Sequence, residues 1–150
     1  MDWVIASIHS STLLTKEAPT VESCTNAWLQ IAKDPRVCVI GHCGQPKFKF
    51  DYERVIPEFG RGGKLVEINN NSFHVRRDAV INCREIALLC KKHGVRVIVN
   101  TDSHFATQVG HAGLALKMLD EIGFPEELVV NSSVERFRQY LKERNIHLED

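Results

Sequence analysis

Val95-Arg96-Val97-Ile98-Val99-Asn100-Thr101-Asp102-Ser103-His104 joins an apolar run directly to a polar cluster. Its first half is a β-branched apolar run, the composition of a strand buried on both faces as in parallel sheets. Its second half collects acid/base and metal-ligand residue types that would project beyond the strand's C-terminus. In an extended segment Asp102 and His104 stand i, i+2 and share a side. A carboxylate and an imidazole would then face one site. The competing role for Asp102 or Ser103 is to cap a following helix.

Working outward, the same pattern repeats. Trp3–His9 reads as a strand ending in His9, and Val37–Ile40 as a strand followed by Gly41-His42-Cys43-Gly44. Lys64–Ile68 is a third strand, ending in Asn69-Asn70-Asn71-Ser72, and Leu128–Val130 a short fifth one, ending in Asn131-Ser132-Ser133. Between them the apolar residues fall at helical spacing. A helix capped by Thr20 carries Cys24, Ala27, Trp28 and Ile31, and a short one spans about Asp51–Phe59. A third runs from about Asp78 to His93 and stops at Gly94, and a fourth carries Val109, Ala112, Leu116, Leu119 and Ile122. Ser132 with Glu135 fits the capping box of a last helix bearing Val134, Phe137 and Leu141. Strand and helix alternate five times, which predicts an α/β fold with right-handed βαβ units and a mostly parallel sheet.

Composition narrows the class. Residues 1–150 read as one domain, and the 43% hydrophobic and 25% charged residues are those of an ordinary globular protein. Lysine plus arginine equals aspartate plus glutamate, so no net field favours nucleic acid or an anionic membrane. The five cysteines are odd in number and show no C-x-x-C spacing, which predicts reduced thiols in a cytoplasmic protein. No apolar run is long enough to span a membrane, and no signal peptide is recognisable. Neither phosphate-binding glycine loop of the common nucleotide-binding sheets occurs.

The chemistry sits in one place. His9, His42, Asn69/Asn70, Asp102/His104 and Asn131/Ser132 all fall at the ends of consecutive strands, the edge where (β/α) barrels build active sites. His9, His42, Asp102 and His104 form an imidazole-rich set without a thiolate pattern, suited to zinc, manganese or iron in a catalytic site. A Ser/His/Asp triad is a poor alternative, because Ser103 would point away from its neighbours. Cys43, beside His42, reads as a packed thiol rather than a nucleophile. Arg76 and Arg77 have the chemistry to hold a phosphate, although an arginine pair at a helix start is more often solvated.

Ile5-Ala6-Ser7-Ile8-His9, Ile40-Gly41-His42-x-Gly-x-Pro-Lys, Glu67-Ile68-Asn69-Asn70-x-Ser72-Phe73, Asn82-Cys83-Arg84-Glu85 and Thr101-Asp102-Ser103-His104 together resemble the PHP (polymerase and histidinol phosphatase) domain. Within it they are most similar to the stand-alone YcdX-type phosphatases. The resemblance implies a partial (β/α) barrel, about five βα units of a seven-stranded distorted barrel. It also implies a metal-dependent phosphoesterase that activates water with up to three ions, zinc or else manganese or iron. His9 and His42 would share one ion, Asp102 would bind a second and His104 a third, with Asp102 and His104 at the catalytic centre. Asn69 and Asn70 would line the mouth and bind substrate, a small phosphorylated molecule.

The family's opening segments, with paired histidines, a Thr-Asp-His motif and a bridging glutamate, have no counterpart here, and Cys43 stands where the family has proline. The expectation is therefore the C-terminal part of such a domain, weak or inactive as this chain alone. It would self-associate or require a complementing N-terminal segment. The alternatives are a non-catalytic remnant that binds a partner, or an exonuclease-like module of a DNA polymerase, against which the neutral charge counts.

Overall fold

The computed structural model describes residues 3–9, 18–75 and 77–146. Four of the apolar runs become parallel strands lying side by side in chain order: β1 (Ile5–Ser7), β2 (Val39–Gly41), β3 (Leu65–Asn69) and β4 (Val97–Asn100). Ala6 sits opposite Ile40, Ile40 opposite Val66, Val66 opposite Val97, and Asn69 opposite Asn100. All four strands therefore end at one edge. Because the order runs without reversal, their terminal loops form a single row.

The crossovers are helices, as parallel pairing requires. α1 (Val21–Lys33) links β1 to β2, α2 (Tyr52–Arg61) links β2 to β3, and a short α3 (Ser72–Val75) precedes α4 (Arg77–His93). α5 (Gly113–Glu121) and α6 (Val134–Glu143) follow β4. Their ends form where the side chains dictate. Thr20 and Ser23 exchange hydrogen bonds in a capping box at the start of α1, and the Asp51 side chain accepts the Arg54 N–H at the start of α2. Gly94 closes α4 at φ +64°, a left-handed value that a side chain would strain.

Alternation along the strands sorts their side chains onto two faces. Ile40, Val66, Ile68, Val97 and Val99 meet the helix layer in one large core with Trp28, Phe50, Phe59, Ile86, Cys90, Met118 and Leu119. Trp28 stacks edge-on against Phe59, with ring centroids 5.8 Å apart. The opposite face carries Val39, Leu65 and Ile98, covered by Tyr140 of α6 with Cys38 and Val130, against which Trp3 and Phe137 pack. Glu67 shares this face, two residues beyond Leu65. The Tyr140 hydroxyl lies 3.1 Å from the Cys38 carbonyl and 3.0 Å from that of Gly63. Burial pushes this phenol's pKa up to about 12.

Three sequence expectations change. The segment 128–130 is not a fifth strand: residues Glu126–Leu128 and Val130–Ser132 form 3-10 turns. The Leu128, Val129 and Ser132 N–H groups bond locally to the carbonyls of Pro125, Glu126 and Val129, so they are spent before a ladder can form. One parallel bridge between Val97 and Val129 remains. The cap of α6 is Ser133, whose side chain accepts the Arg136 N–H, while the Ser132 hydroxyl turns back to the Val129 carbonyl. Finally, α5 begins only at Gly113 and buries Ala115, Met118 and Leu119, leaving Val109 and Leu116 exposed.

Candidate active site at the strand C-termini

Each strand hands its chain to a loop at the same edge, and there His9, His42, Gln45, Asn71, Ser72, Asp102 and His104 line one pocket of about 290 Å³. The four side chains singled out in the sequence as metal ligands thus share a cavity, contributed by the ends of β1, β2 and β4. The His9 and His42 rings are edge to face with centroids 5.2 Å apart. Among the described residues no three His, Cys, Asp or Glu side chains stand close enough to hold a single ion.

The local backbone explains why His42 is where it is. It adopts φ +53°, a left-handed conformation that costs a residue with a Cβ roughly 1–2 kcal/mol. Gly41 before it lies so close to β1 that an added Cβ would come within 2.9 Å of Ile5 Cγ2. Gly44 after it presses on α4, where a Cβ would fall 2.6 Å from Cys83 Sγ. The turn is held from β3: the His42 N–H donates to Glu67 Oε2 at 2.8 Å, and Asn69 Nδ2 lies 3.3 Å from His42 Nδ1. An amide NH2 only donates, so Nδ1 accepts and the neutral His42 ring carries its hydrogen on Nε2; an ion held there needs that hydrogen on Nδ1 and the Asn69 amide turned.

Asp102 is the second left-handed residue of the pocket, at φ +50°. β4 ends at Asn100, so Asp102 and His104 come together through a tight turn and not through the extended i, i+2 spacing that the sequence suggests. The turn is tied by the Thr101 and Ser103 hydroxyls, 2.7 Å apart, and by His104 Nδ1 at 2.9 Å from the Asp102 carbonyl. A carbonyl only accepts, so Nδ1 carries the hydrogen and the neutral ring keeps its lone pair on Nε2. That is the tautomer a metal ligand or a general base needs. Asn71 Nδ2 donates to Asp102 Oδ2 at 3.3 Å.

Asn69 and Asn70, expected at the mouth, do not line the pocket; Asn71 and Ser72 do. Asn69 is buried and accepts the Ser72 N–H through Oδ1 while its Nδ2 faces His42. Asn70 is buried too and pins the start of α5, accepting the Ala115 N–H and donating to the His111 carbonyl. The register explains this: both residues still belong to the packed end of β3, and only the next two turn outwards. Arg76 lies outside the described residues, as does the side chain of Arg77. Asn131 is not part of the pocket, and Cys43 is fully packed, its thiol pKa raised by burial and by the neighbouring Cys83. A thiol so placed is no nucleophile.

Glu67, quoted in a motif but given no role, and Gln45, not named, are the residues that the sequence reading left unassigned. The signal for Glu67 was present, since a carboxylate inside the run Leu65-Val66-Glu67-Ile68 must find partners or face a cavity. Gln45 had no such signal; it reaches the pocket only through the turn after His42.

No protein-family model matches the chain. It is similar to several curated bacterial proteins. One, named a probable phosphatase of Acetivibrio thermocellus, is 40% identical over 144 residues, covering 96% of this chain and 58% of the relative. A probable phosphatase of Caldanaerobacter subterraneus is 42% identical over 145 residues, 96% of this chain and 56% of its own length. A third, from Clostridium botulinum, is 38% identical over 144 residues. The chain thus spans somewhat under three-fifths of the length of the curated relatives it matches, and almost all of its own length is shared with proteins named probable phosphatases.

Proposed function

We propose that this chain carries part of the active site of a metal-dependent phosphoesterase of the PHP type, its sheet being an arc of the corresponding (β/α) barrel. The observation that carries the proposal is the meeting of His9, His42, Asp102 and His104 on one pocket at the strand C-termini. The relatives' name of phosphatase supports the reaction class. The pocket's size, at the small end of ligand sites, suits a compact phosphorylated substrate. Its charge balance supports a metal as well. Among the described residues the lining holds no lysine or arginine, so a phosphoryl dianion needs its countercharge from imidazoles and bound cations.

The donor set, imidazoles with a carboxylate, fits zinc or manganese by type. His9 with His42 would hold one ion through ring nitrogens, and Asp102 and His104 would each offer a donor to further ions, up to three in a complete site. Such ions supply Lewis acidity and a deprotonated water at neutral pH. Asn71 steadies the Asp102 carboxylate, and the Asp102 carbonyl fixes the tautomer of His104. With Nδ1 committed to that carbonyl, the exposed His104 keeps its Nε2 lone pair for the ion it would hold. Gln45 and Ser72 offer neutral hydrogen bonds to the remaining phosphoryl oxygens.

Calorimetric titration of the chain with zinc or manganese tests the proposal directly. Binding is expected and should be lost in His42→Ala; a wild-type chain that takes up neither ion would overturn it. Hydrolysis of p-nitrophenyl phosphate by this chain alone should fall well below about 1 per second, because pairs of ligands leave each ion underheld. Ordinary enzymatic turnover that disappears in His42→Ala would show that the chain needs no further segment.

A further inference from the structure

We propose that Glu67 is the positioning residue of this site, a buried carboxylate that sets the orientation of His42. The proposal rests on His42 being a pocket ligand, and it adds a residue that neither the motifs nor the relatives' names assign. Glu67 is 8% exposed in the middle of the sheet. Among the described residues no lysine or arginine pairs with it. Its charge is met instead by N–H donors from three successive strands. Oε2 accepts the His42 N–H from the end of β2 at 2.8 Å, with Asn69 Nδ2 of β3 at 3.4 Å. Oε1 accepts Asn100 Nδ2 of β4 at 2.8 Å.

A buried carboxylate without a cationic partner is costly, and a chain that keeps one needs strong donors around it. Here the donors are the elements that shape the pocket. The bond to the His42 N–H offsets the left-handed backbone at that residue. Asn69, held by the same oxygen, is the group that faces His42 Nδ1. Glu67 therefore acts on His42 twice, through its backbone and through the partner of its ring. Its other oxygen is held by Asn100 of β4, which fixes the carboxylate without touching His42.

Glu67→Gln is close to isosteric and removes only the second acceptor. With N–H donors on both oxygens, the glutamine NH2 must meet a donor whichever way it is turned. In the full chain, CD and thermal unfolding would establish that the variant folds. The readouts are then the backbone amide and imidazole resonances of His42, with those of His104 as internal reference, and zinc affinity by calorimetry. The expected result is a selective shift of the His42 signals and zinc binding weaker by about 10–100-fold, the usual effect of losing a group that orients a metal-ligating histidine. Wild-type His42 resonances and unchanged zinc affinity in a folded Glu67→Gln chain would overturn the proposal. So would shifts spread equally over His42 and His104. Should Glu67→Gln fail to fold, Asn100→Ser frees Oε1 without touching His42 and must move the same His42 signals by a smaller amount; no movement there also overturns it. If the wild-type chain binds no zinc, the metal reading falls, while the His42 resonances still decide the role of Glu67.

Discussion

The two edges of the sheet are built on opposite principles. At the β4 edge the ladder is finished by a side chain: Asn131 Oδ1 accepts the Val99 N–H at 3.0 Å, and Asn131 Nδ2 donates to the Val99 carbonyl at 2.7 Å. One amide thus reproduces both bonds that another strand would have made, and the Val97–Val129 bridge and α6 continue the cover. At the other edge, β1 pairs only with β2 among the described residues, and Ile5 is 49% exposed. The first edge terminates the sheet; the second can accept another strand. The site straddles this asymmetry. His42 follows the interior strand β2 and Asp102 the closed edge strand β4, whereas His9 follows β1 at the open edge.

The comparison can be tested from its largest expected effect downwards. Ile98, 6% exposed in β4, packs under the α6 side, and Ile98→Ala should cost about 2–5 kcal/mol. Ile5→Ala in β1 should cost under about 1 kcal/mol. Urea unfolding of both variants measures the contrast, and equal losses would mean that β1 is as well buried as β4.

Next comes the amide clamp itself. Asn131→Ala leaves the Val99 N–H and C=O unpaired, for about 1–3 kcal/mol in the same assay. Hydrogen exchange at Val99 should accelerate together with the loss of stability. If Val99 stays protected at wild-type stability, the clamp is ornamental and something else closes that edge. Smaller again, Ser133→Ala removes the cap of α6, the helix that covers the closed end, and should cost about 1 kcal/mol by thermal unfolding. Ser132→Ala should cost less, which separates the observed cap from the one expected in the sequence.

The smallest effect on stability, but the most informative about the open edge, is Ile5→Lys. A lysine at a half-exposed edge position should change stability by less than about 0.5 kcal/mol while discouraging strand addition. Light scattering at micromolar concentration should show the wild-type chain self-associating and Ile5→Lys shifted towards monomer. A wild-type chain that stays monomeric and binds no hydrophobic dye would refute an available edge.

Much of the molecule was legible in the residues alone. The β-branched runs ending at Ile40, Ile68 and Val99 became parallel strands, because segments apolar on both faces can be satisfied only in the middle of a layered sheet. Thr20, Asp51 and Gly94 end their helices as their side chains or their lack of one require. Parallel direction then puts the polar residues after each strand at one edge, so His9, His42, Asp102 and His104 could be grouped without coordinates. What only the tertiary structure decided depends on partners distant in sequence. Residues 128–130 carry a strand-like composition, but local turn bonds and the Asn131 amide outcompete the ladder. Asn69 and Asn70 have the chemistry of substrate contacts, yet one is spent on His42 and the other on the start of α5. Glu67, on the face opposite the helix layer, finds its donors on β2 and β4, 25 and 33 residues away. Periodicity within a segment shows which face a residue takes; which groups wait on that face is settled only when the strands are laid side by side.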